Sequence, residues 1–271
     1  MCGIFGIINY GPKRYLSELD HIKEMIERLL AAAEIRGTDA SGICIVSGKK
    51  AKVFKERTPG SDLPKEDGYK DVMKSMTYQE NFQFMIGHVR ARTKGSEFFN
   101  VNNHPIISGK VIGVHNGVIS NDEDIFKMEK DLNRRGEVDS EVIFSLLNKA
   151  ISIDKSTISF AVRKTARALV GSYSCAFLHL DHPNYLTLFS GNYANIALHD
   201  FRNYKLMVFG STDGIITKAG KDISLFREPS SKREMGKNMA WRINTDNGKI
   251  HTFQLSANYA TQNHARFPSV I

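Results

Sequence analysis

The chain begins Met-Cys-Gly-Ile-Phe-Gly, with a cysteine at position 2 directly ahead of an apolar run. Once Met1 is removed, Cys2 carries a thiol and a free α-amine on one residue. A thiol attacks acyl carbon as the thiolate, and a cysteine near pKa 8.5 is only a few per cent ionised at neutral pH. An N-terminal amine, with a reference pKa of about 7.7 to 8.0, is partly unprotonated there and can relay the thiol proton. No histidine partner is then required. Position alone favours a blander reading, a small buried hydrophobe that opens a strand.

Residues 113–121 read GVHNGVISN. An apolar strand is expected to end at His115, with Asn116-Gly117 bending the chain because glycine tolerates positive φ. As structure the pair is a turn. As chemistry it is an oxyanion hole: the Asn116 amide and the Gly117 N–H would face the oxygen that becomes negative during attack, roughly 3 to 4 kcal/mol per donor in other acyl-transfer enzymes. GHVRARTKG, residues 87–95, leaves a strand with Arg90 and Arg92 two apart. Such guanidiniums either take a carboxylate bidentately or simply decorate the surface. In EVDSEVI, residues 137–143, Asp139 precedes an apolar run. It reads as a helix cap or as a carboxylate that receives an ammonium.

These residues need a frame to hold them. Residues 2–9 run apolar like a buried strand, stopped by Tyr10-Gly11-Pro12. From Ser17 the spacing of Leu19, Ile22, Ile26, Leu29, Leu30 and Ala33 predicts one apolar helical face ending at Gly37. Residues 42–47 and 51–56 read as a hairpin, 58–67 as a surface loop, and 84–90 and 109–115 as strands around a long loop from Thr93 to Ser108. Helices are expected at 122–133, 139–153 and 156–169, then strands at 173–180, 185–190, 195–199 and 204–209, with a mostly β end. With no repeat and no linker, a layered α+β domain of two sheets with outer helices is the economical architecture.

Composition narrows the function classes. The chain has 271 residues, 41% hydrophobic and 24% charged, and no apolar run long enough to cross a bilayer. No secretory signal pattern opens it, so the cytoplasm is the expected compartment. Cys2, Cys44 and Cys175 lack metal-ligand spacing and suggest no disulfide framework. Lys and Arg number 37 against 29 Asp and Glu, a net charge of +8, but the basic residues are scattered, which argues against a nucleic-acid surface.

Seven blocks in one order carry a resemblance: MCGIFG at the start, RGTDASG at 36–42, GHVRARTKG at 87–95, NNHP at 102–105, HNGVISN at 115–121, VDSEVI at 138–143 and GSYSCAF at 171–177. They resemble the class II glutamine amidotransferases, whose glutaminase domain belongs to the N-terminal-nucleophile hydrolases. They are most similar to the glutaminase halves of glucosamine-6-phosphate synthases, which read R-G-Y-D-S-A-G, G-H-T-R-W-A-T-H-G and H-N-G-I-I-E-N at corresponding stretches. The resemblance implies a four-layer αββα sandwich over residues 1–255, with 256–271 as a C-terminal tail. It also implies roles. Cys2 attacks the side-chain amide of L-glutamine, its amine shuttles the proton to ammonia, and water releases glutamate from the thioester. Asn116 and Gly117 form the oxyanion hole, Arg90 with Thr93 binds the α-carboxylate, Asp139 takes the α-ammonium, and His104 and Arg36 support the site. No metal or other cofactor is expected.

The sequence departs from that family at Ala91 and Arg92, where the synthases have an aromatic and a small residue, and at Lys94, where they have a histidine in the glutamine-covering loop. Acceptor-domain motifs are not found, so the expectation is a glutaminase that delivers ammonia to a separate synthase protein or forms half of a split enzyme. An amidase acting on γ-glutamyl compounds and a non-catalytic regulatory homologue are the alternatives.

Overall fold

The computed structural model describes residues 1–48, 50–77, 82–192 and 195–255; the predicted tail at 256–271 lies outside the described residues. In chain order the strands are β1 (Gly3–Asn9), β2 (Ala40–Ser47), β3 (Lys50–Glu56), β4 (Phe82–Arg90), β5 (Ile106–Ser108), β6 (Val111–Ile119) and β7 (Gly171–His179). They continue with β8 (Tyr185–Ser190), β9 (Ala197–Phe201), β10 (Leu206–Gly210), β11 (Ser231–Glu234), β12 (Met239–Asn244) and β13 (Ile250–Gln254). The helices are α1 (Leu16–Ala33), α2 (Asp67–Met73), α3 (Asp122–Met128), α4 (Ser140–Asn148), α5 (Ile158–Ala168) and α6 (Asp213–Gly220).

Two antiparallel sheets are built from these strands, one ordered β11-β9-β10-β1-β4-β2-β3 and the other β13-β12-β8-β7-β6-β5. Successive side chains on a strand point to opposite faces, and both faces are covered here. On β1, Phe5 and Ile7 pack with α1 residues Leu19, Ile22, Ile26 and Leu29 and with α6 residues Ile215 and Ile216. Ile4 and Ile8 instead enter the layer between the sheets, with Phe84, Val114, Ala176 and Leu188. The outer face of the second sheet is covered by α4 and α5, through Val142, Ile143, Phe144, Ala161 and Val162 against Tyr173, Cys175 and Phe177. The result is the αββα order expected from the sequence. Each large apolar side chain so buried contributes roughly 1.5 to 3 kcal/mol, which explains why β1, covered on both faces, reads as an apolar run.

Local differences have local causes. The predicted loop at 58–67 contains a 3-10 turn at Leu63–Lys65, anchored by fully buried Leu63 and followed by the unpredicted α2. Helix α6 falls in the part expected to be mostly β. The strand expected to stop at His115 continues to Ile119, with Asn116 opposite Ser174 and Gly117 opposite Tyr173 on β7. Asn116-Gly117 is therefore inside a strand and not a turn. Among the described residues no helix is long and apolar enough to cross a membrane.

Candidate active site

Cys2 immediately precedes β1, a central strand of the larger sheet, and is half-buried. Its thiol donates to Ala91 O at 3.4 Å, just past the end of β4, and its own carbonyl accepts from Arg36 Nε at 2.7 Å. Arg36 reaches it from the 3-10 turn Glu34–Arg36 that ends α1. The following Gly37 lets this turn press onto β4, since a Cβ there would lie 2.4 Å from Arg90 O and Ala91 N. Burial pushes the Cys2 thiol up; the terminal ammonium and Arg90 pull it back, while Asp139 adds to the rise. A resting thiol of this kind needs a base before it attacks.

Beside it lies a cavity of about 230 Å³, lined by Met1, Arg36, Asn116, Gly117, Ser172, Asn195 and Ser211. Ser211, just after β10, fixes that wall to β1: its Oγ accepts the Ile4 N–H and its N–H donates to Ile4 O, both at 2.9 Å. On β6, Gly117 has φ +148°, and a Cβ there would sit 1.9 Å from Ser172 O. Only glycine permits this approach of β6 to β7. Asn116 is 6% exposed, and its Oδ1 has no hydrogen-bond partner among the described residues.

Arg90 ends β4 and is 2% exposed. Its Nη1 donates to Asn103 Oδ1 at 2.7 Å, and its Nη2 donates to Lys94 O at 2.8 Å and Gly95 O at 2.6 Å. Asp139 precedes α4 without capping it; its Oδ2 instead accepts the Ile119 N–H at 2.7 Å. Both charges bear on the Cys2 thiol. Thr93 is exposed and lines a different cleft, of about 570 Å³, with Arg92, Gly95, Ser96 and Glu137.

His104 is buried and does not line the Asn116 cavity. Its ring stacks on His88 with centroids 4.1 Å apart, and neither ring nitrogen has a partner among the described residues. His88 Nε2–H donates to His115 O at 3.0 Å, and His115 Nδ1 meets Ser140 Oγ at 2.7 Å, next to Asp139. Burial drives the three rings toward the neutral form, His88 down to about 3, His104 well below its ordinary value and His115 also down.

The predicted residues thus fall into two groups. Arg36, Asn116 and Gly117 surround the cavity beside Cys2, with Arg90 and Asp139 close enough to act on the thiol. Thr93 and His104 stand apart from that cavity. Sequence reading assigned no role to Ser172, although the GSYSCAF block contained it, and missed Asn195 and Ser211, polar residues outside the quoted blocks. It also missed the Asn103 anchor of Arg90, which the NNHP block did contain. Among the described residues no cluster of histidine, cysteine or carboxylates is arranged to hold a metal ion.

Known proteins resemble the chain in sequence and in fold. No protein-family profile matches the chain. A glutamine--fructose-6-phosphate aminotransferase [isomerizing] from Geobacillus kaustophilus (strain HTA426) is 33% identical over 186 residues, 68% of this chain and 28% of the relative. The protein of the same description from Bacillus subtilis (strain 168) is 31% identical over 192 residues, 70% of this chain and 28% of its own length. The chain therefore spans less than a third of the curated relatives it matches. Among solved structures, a glutamine phosphoribosylpyrophosphate amidotransferase from B. subtilis complexed with ADP and GMP superposes with a TM-score of 0.65 at 15% identity, covering 95% of this chain and 50% of that one. A glutamine aminotransferase class-II domain protein from Silicibacter pomeroyi gives a TM-score of 0.55 at 13% identity, covering 94% and 100%. At these identities the structural likeness speaks to the fold.

Proposed function

As the chain belongs to the class II glutamine amidotransferases, we propose that it hydrolyses L-glutamine to glutamate and ammonia through a thioester on Cys2 and hands the ammonia to an acceptor-using synthase. The observation that carries this reading is the position of Cys2 at the head of β1, beside a cavity walled by Asn116 and Gly117, with Arg90 and Asp139 both acting on its thiol. That cavity is smaller than the roughly 300 to 1,000 Å³ of drug-sized sites. It suits a ligand of amino-acid size.

In this mechanism Met1 is removed, which exposes the α-amine of Cys2 and vacates one wall of the cavity. The amine takes the thiol proton and Sγ attacks the side-chain carbonyl carbon of glutamine. Asn116 and Gly117 receive the oxyanion, and the tetrahedral adduct expels ammonia, which carries the relayed proton. Water then attacks the thioester, releasing glutamate and restoring the thiol. Arg90 and Asp139 supply opposite charges for the α-carboxylate and α-ammonium, so a free amino acid is preferred over a simple amide. Arg36 holds the Cys2 carbonyl and thereby aims the nucleophile. In the finer reading, the acceptor-using unit is a separate protein.

The test is glutamate release from L-glutamine by the purified chain, compared with Cys2→Ala. Release that depends on Cys2 supports the reading. Equal release by both proteins overturns it, and turnover of γ-glutamyl peptides well above that of glutamine reassigns the substrate. Adding candidate synthases and measuring ammonia transfer without loss to solvent tests the separate acceptor.

A further inference from the structure

Arg90 is the carboxylate-binding group of the proposed glutamine site, and its guanidinium is already occupied. A guanidinium grips a carboxylate through a fork, either Nε with Nη2 or Nη1 with Nη2. Both forks use Nη2. In this structure both Nη2 protons go to main-chain oxygens of the chain itself, Lys94 O at 2.8 Å and Gly95 O at 2.6 Å. A bidentate α-carboxylate has to displace those carbonyls.

The side chain of Lys94 is itself tied down. Its Nζ donates to Asp122 Oδ1 at 3.0 Å and Oδ2 at 2.8 Å and to Glu123 Oε1 at 2.9 Å, at the start of α3. The Asp122 side chain is 3% exposed and also accepts from Arg134 Nη2 at 3.1 Å, so the acceptor is itself fixed. A partly buried, multiply hydrogen-bonded ion pair of this kind is worth more than an exposed one. One residue therefore presents a main-chain oxygen to Arg90 and anchors that oxygen through its own side chain to the second layer of the fold.

We propose that Lys94, braced by Asp122 and Glu123, is an affinity-setting strut that holds the Lys94 and Gly95 carbonyls in the Arg90 fork, so that the α-carboxylate of glutamine competes with the loop for the same donors. This rests on the reading of the site as a glutamine site. A carboxylate wins because it brings a full opposite charge and a bidentate geometry to the guanidinium, which two neutral carbonyls do not. The strut reduces the margin. A ligand without an α-carboxylate has no need of the fork and is indifferent to it.

The experiment compares the unaltered protein with Lys94→Ala, Lys94→Arg and Glu123→Gln. It measures KM and kcat for L-glutamine and the inhibition constant of 4-aminobutanamide, which is glutamine without its α-carboxylate. Lys94→Ala should lower the glutamine KM roughly three- to tenfold and leave the 4-aminobutanamide constant in place. Glu123→Gln should shift KM the same way by less, and Lys94→Arg, which can still pair with Asp122, should restore it. A glutamine KM that rises or stays fixed in both Lys94→Ala and Glu123→Gln, or two ligands that shift together, overturns the strut. If the unaltered protein neither binds nor hydrolyses glutamine, the strut falls together with the function it rests on; if it does both and KM fails to drop, the strut alone falls.

Discussion

The carboxylate of Asp139 accepts the Ile119 N–H at 2.7 Å, tying the residue before α4 to the far end of the strand that carries Asn116 and Gly117. Asp139→Asn keeps an oxygen for that bond and removes the charge. The glutamine KM is expected to rise about 10- to 100-fold, the equivalent of a charged hydrogen bond of roughly 1.5 to 3 kcal/mol, with little change in melting midpoint. Asp139→Ala loses the Ile119 bond as well and should melt lower. Kinetics and calorimetry on both variants separate the two roles; an unaltered KM in the asparagine variant removes Asp139 from substrate recognition.

Asn116 faces the cavity with its Oδ1 unpartnered among the described residues. Asn116→Ala should therefore cost little stability and reduce kcat by about 10²- to 10³-fold, as loss of one oxyanion donor does elsewhere. Single-turnover kinetics gives the size. A kcat within a few fold of the unaltered protein would mean that the amide does not meet the oxyanion.

Two glycine-to-alanine changes should move stability in opposite directions. At Gly117 a Cβ would meet Ser172 O at 1.9 Å and the φ is +148°. The strain, roughly 1 to 3 kcal/mol, lowers the melting midpoint by about 2 to 12 °C in a chain of this size. At Gly214 in α6 a Cβ would meet nothing within 4 Å among the described residues. Alanine there should stabilise by about 0.4 to 1 kcal/mol. Thermal melts of both variants check the pair.

Acid should weaken the fold through its buried histidines. Burial lowers His88 from 6.5 to about 3 and also depresses His104 and His115. Between pH 6.5 and about 3 the unfolded chain binds more protons at His88 than the folded one, so stability present above pH 6.5 is lost as pH falls. The slope approaches about 1.4 kcal/mol per pH unit for the His88 ring, and His104 and His115 act in the same direction. Urea unfolding at pH 7, 6 and 5 should show a falling midpoint; a flat midpoint would mean the rings are protonated in the folded chain.

Much of this was legible in the residues. The apolar spacing of α1 and the run of β1 are direct records of burial on one helical face and on both faces of a central strand. Asn116-Gly117 misled as a turn because a local bending preference is overruled by pairing of β6 with β7, where the glycine is needed for contact and not for a bend. The short α2 and α6 each contain a glycine and present few apolar positions, so packing, not local preference, makes them helical. At the site, motif residues announced themselves by type and order. Asn195 and Ser211 carry no signal in their own neighbourhoods, and although Ser172 and Lys94 lie in recognisable blocks, the partners they meet across the cavity and at Asp122 are brought in by tertiary structure from distant positions.

The account stands on Cys2 as a nucleophile whose own α-amine serves as base. Its most direct test is intact mass of the purified protein before and after a glutamine-mimicking diazoketone, with the adduct located by peptide mapping. The expected result is a chain lacking Met1 that gains one adduct, on Cys2. A chain that retains Met1 yet releases glutamate at full rate, or an adduct that forms elsewhere, would contradict it.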